Sequence, residues 1–358
     1  MSAESHFIDL PRIDLRGFTS PVQFLPRLSD ELGVEVWSKR DDLGSVGLAG
    51  NKVRKLETEL AQARALGATH LVTEGSRHSN ATRAAAAAAA AIGMKCTLVL
   101  CHDEPKEPVG NLFLDALFGA DLRLVGDTSW GELTRLTGDV VRELEAAGER
   151  VHRLPIGSAT GRGAASFARA YAEAEQQMQA QGATIRTIVH ASSAGSTHAG
   201  LVLGRALCRK PTRIVGVIVA GEVYDDVPGN YLRLAREAAD LIAPTVHVAA
   251  SDIELTEDYL GEGYGQPAAG VMEAIDLMAR LEGIVVDPVY TAKAVAGIID
   301  MARKGEIEGP VLFWHTGGYH SIFDPSRTAA VWSGLARLRG IRLTSPVEPL
   351  PTENPLPC

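Results

Sequence analysis

Aromatic residues make up only 5% of this 358-residue chain, against 36 glycines and long alanine runs. Strands draw heavily on aromatic side chains, so the scarcity favours close-packed helices on a sheet over an all-β sandwich. A basic excess is also missing. Lys plus Arg is 35 and Asp plus Glu is 44, a formal net charge of −9. This argues against nucleic acid or an anionic membrane surface as the main partner, since both select clustered basic residues. No RRM, zinc-finger or helix-turn-helix pattern offsets it. The longest side-chain-poor run, 84–91, is alanine and too short to cross a bilayer. The N-terminal MSAESHFIDLPR has no basic segment followed by an apolar core, so no secretory signal is expected. The four cysteines (Cys96, Cys101, Cys208 and Cys358) show no disulfide framework, and Cys96, Cys101 and His102 are too few to ligate zinc. Reduced thiols in a cytoplasmic protein are the expectation. Neither a GxxxxGK[ST] phosphate loop nor a GxGxxG dinucleotide fingerprint occurs.

What is present is an alternation. At roughly 150 residues per domain the length suggests two domains. From residue 69 onward, short apolar β-branched runs at 69–75, 94–101, 121–126 and 151–155 alternate with helical patterns at 80–93, 111–120 and 129–147. A second series of runs follows at 184–192, 213–221, 283–290 and 310–318, with helical patterns at 196–208, 230–242, 268–281 and 291–303. Continuous apolar strands alternating with helices mark parallel sheets covered on both faces. The expected fold is therefore α/β, with two open, mostly parallel twisted sheets flanked by helices. The tail from Ser345 to Cys358 contains five prolines and reads as an extended strap or as disordered.

Glycine and small polar residues crowd the strand ends, where open α/β sheets bind ligands. In GLAGNKVRKLE (47–57), a Gly-rich turn leads through Asn51 to Lys52, placed as a carbonyl-attacking amine once desolvated. Taken by themselves, Lys52, Arg54 and Lys55 read first as a solvated basic face. In HASSAGSTHAGLVLG (190–204), a strand, a run of small residues and a helix follow in order. The amides of Ser193, Ala194, Gly195, Ser196 and Thr197 can converge there on one phosphate. A tight turn with no ligand is the alternative. In EGSRHSNATR (74–83), Ser79 and Asn80 are helix caps or donors to a substrate carboxylate. EGYGQP and DPVYTAK place Tyr264 and Tyr290 beside turns, and FWHTGGYH ends a strand at Thr316-Gly317-Gly318.

The ordered set SPVQFLPRLSDELG, KRDDLG, AGNKVRKLE, SRHSNATR, SSAGSTHAGL, GYGQP, DPVYTAKA and HTGG resembles the D-cysteine desulfhydrase and 1-aminocyclopropane-1-carboxylate (ACC) deaminase family. These are pyridoxal-phosphate enzymes of the tryptophan synthase β-subunit fold type. The resemblance runs from about Pro21 to Phe323. It implies that Lys52 holds pyridoxal phosphate and later removes the substrate Cα proton, with Asn51 beside the cofactor ring. Asn80 would lie near a cofactor oxygen, and Ser79 would contact the substrate. Ser193 to Thr197 would bind the 5′-phosphate and Thr316 would face the pyridine nitrogen. Tyr264 and Tyr290 would line the substrate side, one of them moving a proton. The resemblance also implies a homodimer acting on a small amino acid, and a layout in which a small domain (55–165) is inserted into a large one (1–54 and 166–358).

Departures within the family bear on the reaction. ACC deaminases imply a glutamate after the tyrosine of DPVY and a leucine in H-x-G-G, where this chain has Thr291 and Thr316. A hydroxyl near the pyridine nitrogen leaves a moderate electron sink, which suits β-elimination better than opening a cyclopropane. The Gly-Gly expected before Asn-Lys is Ala49-Gly50, and the loop before Ser79 carries Arg77 and His78. Those two side chains either read an anionic β-substituent or point to solvent. The expected activity is elimination from a small amino acid to a 2-keto acid and ammonia, with ACC deamination, β-replacement or a non-catalytic binding protein as alternatives.

Overall fold

The structure is a computed structural model that describes residues 8–44, 46–48, 50–101, 109–220, 225–263 and 268–340. Its strands are β1 (Val22–Phe24), β2 (Val36–Arg40), β3 (His70–Ser76), β4 (Lys95–Cys101), β5 (Asp121–Leu124), β6 (Val151–Leu154), β7 (Thr187–Ser192), β8 (Arg213–Ile218), β9 (Glu254–Thr256) and β10 (Val311–His315). Its helices are α1 (Pro26–Leu32), α2 (Lys52–Ala65), α3 (Asn80–Ala91), α4 (Gly110–Leu117), α5 (Trp130–Ala146), α6 (Gly161–Ala180), α7 (Ser196–Leu207), α8 (Val227–Ile242), α9 (Val271–Glu282), α10 (Thr291–Lys304) and α11 (Pro325–Arg339).

Two sheets form, as the alternation predicts. One has six strands in the order β1-β2-β10-β7-β8-β9 and the other four in the order β5-β4-β3-β6. Every pairing is parallel except β1 with β2 at one edge. Alternation along each strand shows why the six-stranded sheet is covered twice. Trp37, Ile188, Ile214, Leu312 and Trp314 face a core built with α6, α7 and α8. Their neighbours Val36, Val189, Val215, Val311 and Phe313 face a second core built with α1, α9 and α10. In the four-stranded sheet, Leu71, Leu98, Leu100 and Leu154 meet α2, α3 and α4, while Val99 and Cys101 meet Leu133 of α5.

The run at 283–290 is not a strand. Both sides of β10 are already taken by β2 and β7. Pro288 has no N–H to donate, and side chains satisfy the rest of the segment. His315 Nε2 donates to the Val285 carbonyl at 3.0 Å. The Asp287 carboxylate accepts from the amides of Val289, Tyr290 and Thr291, which starts α10. The short strands β1, β2 and β9 lie outside the runs that the sequence reading marks. The Pro-rich tail lies outside the described residues, as does Cys358.

Helices α6 and α7 approach closely through glycine. A Cβ added to Gly200 would lie 2.0 Å from the Ala164 carbonyl oxygen, and one on Gly204 would lie 2.5 Å from Tyr171 Cβ. Overpacking of this kind costs roughly 1–3 kcal/mol. Gly200→Ala is therefore expected to lower the unfolding free energy by about 2 kcal/mol or more, measured by denaturant titration.

Candidate active site

The C-terminal ends of β3, β7 and β10 open onto a cleft, the place where open α/β sheets bind ligands. The lysine loop forms one wall. Lys52 is the first residue of α2, and the two residues before it are pinned by backbone. The Asn51 amide donates to the Thr316 carbonyl at 3.0 Å and the Gly50 amide to the Asp41 carbonyl at 2.9 Å. Gly50 has φ +105°, and a Cβ there would approach the Thr316 oxygen to 3.0 Å, so glycine is required on both counts. The Asn51 side-chain amide donates to Thr197 Oγ1 at 3.1 Å, tying the lysine loop to the start of α7.

A buried polar network anchors this turn of α2. Arg54 donates from Nε to both Asp41 oxygens at 3.0 and 2.9 Å, and from Nη2 to Ser20 Oγ and Glu173 Oε1 at 2.8 Å each. Asp41 also accepts from Ser20 Oγ at 2.6 Å and from Trp314 Nε1 at 2.8 Å. Lys39 joins through Glu173, Gln177 and the Ser20 carbonyl. The Arg54 guanidinium, and after it Lys39, hold Asp41 well below the usual carboxylate range despite its burial. Removing one member of such a network costs about 3–5 kcal/mol, because it strands a buried charge.

Lys52 and Lys55 share one face of α2, three residues apart. Burial lowers Lys52 to about 8, with a hydrogen bond from Lys55 opposing the shift. Lys55 is pushed well down by burial and then by the neighbouring charge of Lys52, and its amine sits 5.8 Å over the Phe167 ring. Lys55 lines the cleft as a second amine, so the basic face suggested by the sequence is not what forms.

Ser193, Ala194, Gly195 and Thr197 line the same cleft. Gly195 caps α7 at φ +96° without a side-chain cap, which leaves the first-turn amides directed at the cleft. Tyr231 fixes this loop by donating to the Ser193 carbonyl at 2.6 Å and accepting from Ser192 Oγ at 3.0 Å. A Cβ on Gly195 would strike the Tyr231 ring at 2.4 Å. Ser196 is buried outside the lining, with its hydroxyl on the Ser158 carbonyl at 3.4 Å.

Ser79 and Asn80 form the third wall. Ser79 Oγ accepts from the amides of Ala81 and Thr82 at 3.1 and 3.4 Å. A hydroxyl also carries one donor, so Ser79 caps α3 and retains an O–H for a ligand. Thr316 and Tyr290 complete the lining. Arg77 and His78 are not among the lining residues. Arg77 Nε donates to His78 Nε2 at 3.2 Å, and His78 Nδ1 lies 3.8 Å from Asp324. Tyr264 lies outside the described residues. Sequence reasoning missed Trp130, Ile156 and Gly157, which no local pattern marks as ligand-facing. Gly157 packs tightly, since a Cβ on it would meet Ala194 Cβ at 2.5 Å and Lys52 Nζ at 3.7 Å. Among the described residues, no group of three or more His, Cys, Asp or Glu is placed to hold a metal.

Comparison with known proteins decides the class. Residues 13–317 match the family described as "Pyridoxal-phosphate dependent enzyme". The chain belongs to that family. It is 36% identical over 325 residues to the D-cysteine desulfhydrase of Salmonella choleraesuis, covering 89% of this chain and 97% of that one. A crystal structure of an ACC deaminase homologue superimposes with a TM-score of 0.83 at 35% identity, over 91% of this chain and 97% of that one. Threonine deaminase isoform 2 of Solanum lycopersicum shares the fold, with a TM-score of 0.61 at 16% identity over 89% and 84%.

The residues present fit the family's cofactor. An amine of lowered basicity and an uncapped helix N-terminus line the same cleft, and Gly195 admits the Tyr231 ring that holds the loop before that terminus. An amine attacks an aldehyde only when neutral. At pH 7 an amine of pKa about 8 is roughly one-tenth neutral, whereas an ordinary lysine is only about 0.03% neutral. Because the pKa is lowered, the reactive fraction grows as pH rises through about 8 and then saturates. The rate at which apo-protein takes up pyridoxal phosphate, followed by visible absorbance, is expected to rise to about pH 8 and then level off. A rise continuing to about pH 10 would mark an ordinary lysine.

Proposed function

We propose that this enzyme is a D-cysteine desulfhydrase-like lyase. It removes the Cα proton of a small amino acid and expels a β-substituent, releasing a 2-keto acid such as pyruvate and ammonia. For D-cysteine the balance is substrate plus water to pyruvate, hydrogen sulfide and ammonia. The observation that carries this reading is the absence of a carboxylate among the described residues that line the cleft. Thr316, not a carboxylate, lines it, and Thr291 is turned away into the start of α10, where its hydroxyl donates to Asp287 at 2.6 Å.

Pyridoxal phosphate, when bound, supplies the electron sink for the Cα carbanion. The protein does the rest. Lys52 Nζ, held mostly neutral above pH 8, accepts the Cα proton. The amides of Ser193, Ala194, Gly195, Ser196 and Thr197 would bind the 5′-phosphate, with the Lys55 amine alongside as a further hydrogen-bond donor. Asn51 holds the lysine loop against Thr197, and Asn80 donates to a ring oxygen of the cofactor. Ser79 uses its remaining O–H on the substrate carboxylate. Thr316 would serve the pyridine nitrogen and Tyr290 would border the departing substituent, the role expected also of Tyr264 from the family resemblance. Arg77 and His78 support the Ser79 loop from behind.

The four-stranded sheet and its helices form the small domain (55–165), inserted into a large discontinuous one (1–54 and 166–358). The proposed limits fall within α2 and α6. The expectation of a cytoplasmic homodimer rests on the unpaired Cys96, Cys101 and Cys208 and on the family resemblance. An ACC deaminase-like ring opening is the second reading, favoured by the superposition with the ACC deaminase homologue.

Purified protein is expected to be yellow and to form pyruvate, sulfide and ammonia from D-cysteine while leaving ACC intact. Lys52→Ala is expected to lose the yellow colour and at least about 10³-fold in rate. Turnover of ACC to 2-oxobutanoate with no sulfide from D-cysteine would establish the second reading, and a colourless wild type that takes up no cofactor would sink both.

A further inference from the structure

Asn80 opens α3, just beyond β3 of the four-stranded sheet, and its amide is useful to a ligand only if its NH₂ end faces the cleft. The atoms around it determine which end does. The fixed point is a backbone carbonyl. Asn111, buried near the start of α4, donates from Nδ2 to the His78 carbonyl at 2.7 Å. That bond orients the Asn111 amide, because a carbonyl can only accept. The same Nδ2 has a second hydrogen, which goes to Asn80 Oδ1 at 3.1 Å. Asn111 Oδ1 then points the other way, to His320 Nε2 at 2.7 Å. His320 must therefore carry its proton on Nε2. It stays neutral, pushed down to about 3 by burial and then by Arg83 and Arg327. With Oδ1 of Asn80 occupied, only its Nδ2 remains to donate. Gly318 leaves room for that nitrogen, since a Cβ there would approach it to 2.7 Å.

We propose that Asn111 and His320 are positioning residues that orient the Asn80 amide toward the cofactor. The relay also joins the two sheets, because Asn111 follows β4 and His320 follows β10. Asn80 therefore presents its donor only when the loops beyond β4 and β10 stand in register. The inference rests on Asn80 facing the cofactor, as proposed above, and adds what sets its direction.

Asn111→Asp keeps the acceptor for His320 but removes both donated hydrogens. Its pyridoxal phosphate dissociation constant is expected to rise about tenfold, the worth of one hydrogen bond to a charged group, with a displaced visible band. Asn80→Ala should do the same, and the double variant should be no worse than either single one, since the two act through one bond. His320→Gln, which retains an N–H donor, should keep the wild-type band, whereas His320→Phe should lose it. Wild-type affinity and spectrum in Asn111→Asp, or single effects that multiply in the double variant, would overturn the relay. So would a lowered unfolding midpoint of the apo-protein with the cofactor band unmoved. Should Asn111→Asp fail to fold, the His320→Gln and His320→Phe pair decides the matter alone. A wild type that takes up no pyridoxal phosphate would instead overturn the cofactor reading, and the relay with it.

Discussion

The geometry of the cleft depends on the buried pairing of Arg54 with Asp41 and Glu173. Arg54 sits between Lys52 and Lys55 in the first turn of α2, and the helical period sends it away from them. The two amines meet in the cleft while the guanidinium enters a pocket built from β2, α6 and Trp314 of β10. A bidentate guanidinium–carboxylate contact fixes both distance and direction. Arg54 thus sets the rotation of α2, and with it the place where Lys52 emerges. Lysine in its stead would supply a charge without the fork.

The cleft's charge is handled by burial as much as by partners. Desolvation lowers both Lys52 and Lys55; the charge of Lys52 lowers Lys55 further, while the hydrogen bond from Lys55 opposes the fall at Lys52. A chain with net charge −9 nevertheless presents two amines and a set of helix N-terminal amides at one point. An anion entering there meets hydrogen-bond donors already aligned by Tyr231, Gly195 and Asn51. Preorganisation of this kind is what a phosphate handle requires.

Much of this was legible in the sequence, and the reasons differ by element. The apolar runs that became β3, β4, β7, β8 and β10 are buried on both faces, so their composition alone announces them. The glycine-rich turns before Asn51 and at 193–197 signal close backbone approach, and Asn51, Lys52, Ser193, Ala194, Gly195 and Thr197 line one cleft. The run at 283–290 misled because apolar content does not show whether a sheet edge is free to receive it. Trp130, Gly157, Asn111 and His320 were silent because their roles arise from contacts between distant segments. Lys55 was visible only as a charge, and burial changed its meaning. Ser79 needed no choice between cap and ligand donor, since one hydroxyl serves both.

The central claim is that Lys52, and not its more deeply buried neighbour Lys55, is the amine that engages the cofactor. Borohydride reduction of the yellow protein would fix that linkage covalently, and peptide mass spectrometry would locate it. The account predicts the reduced cofactor on Lys52 alone. Label on Lys55, or a protein that carries none after reduction, would contradict it.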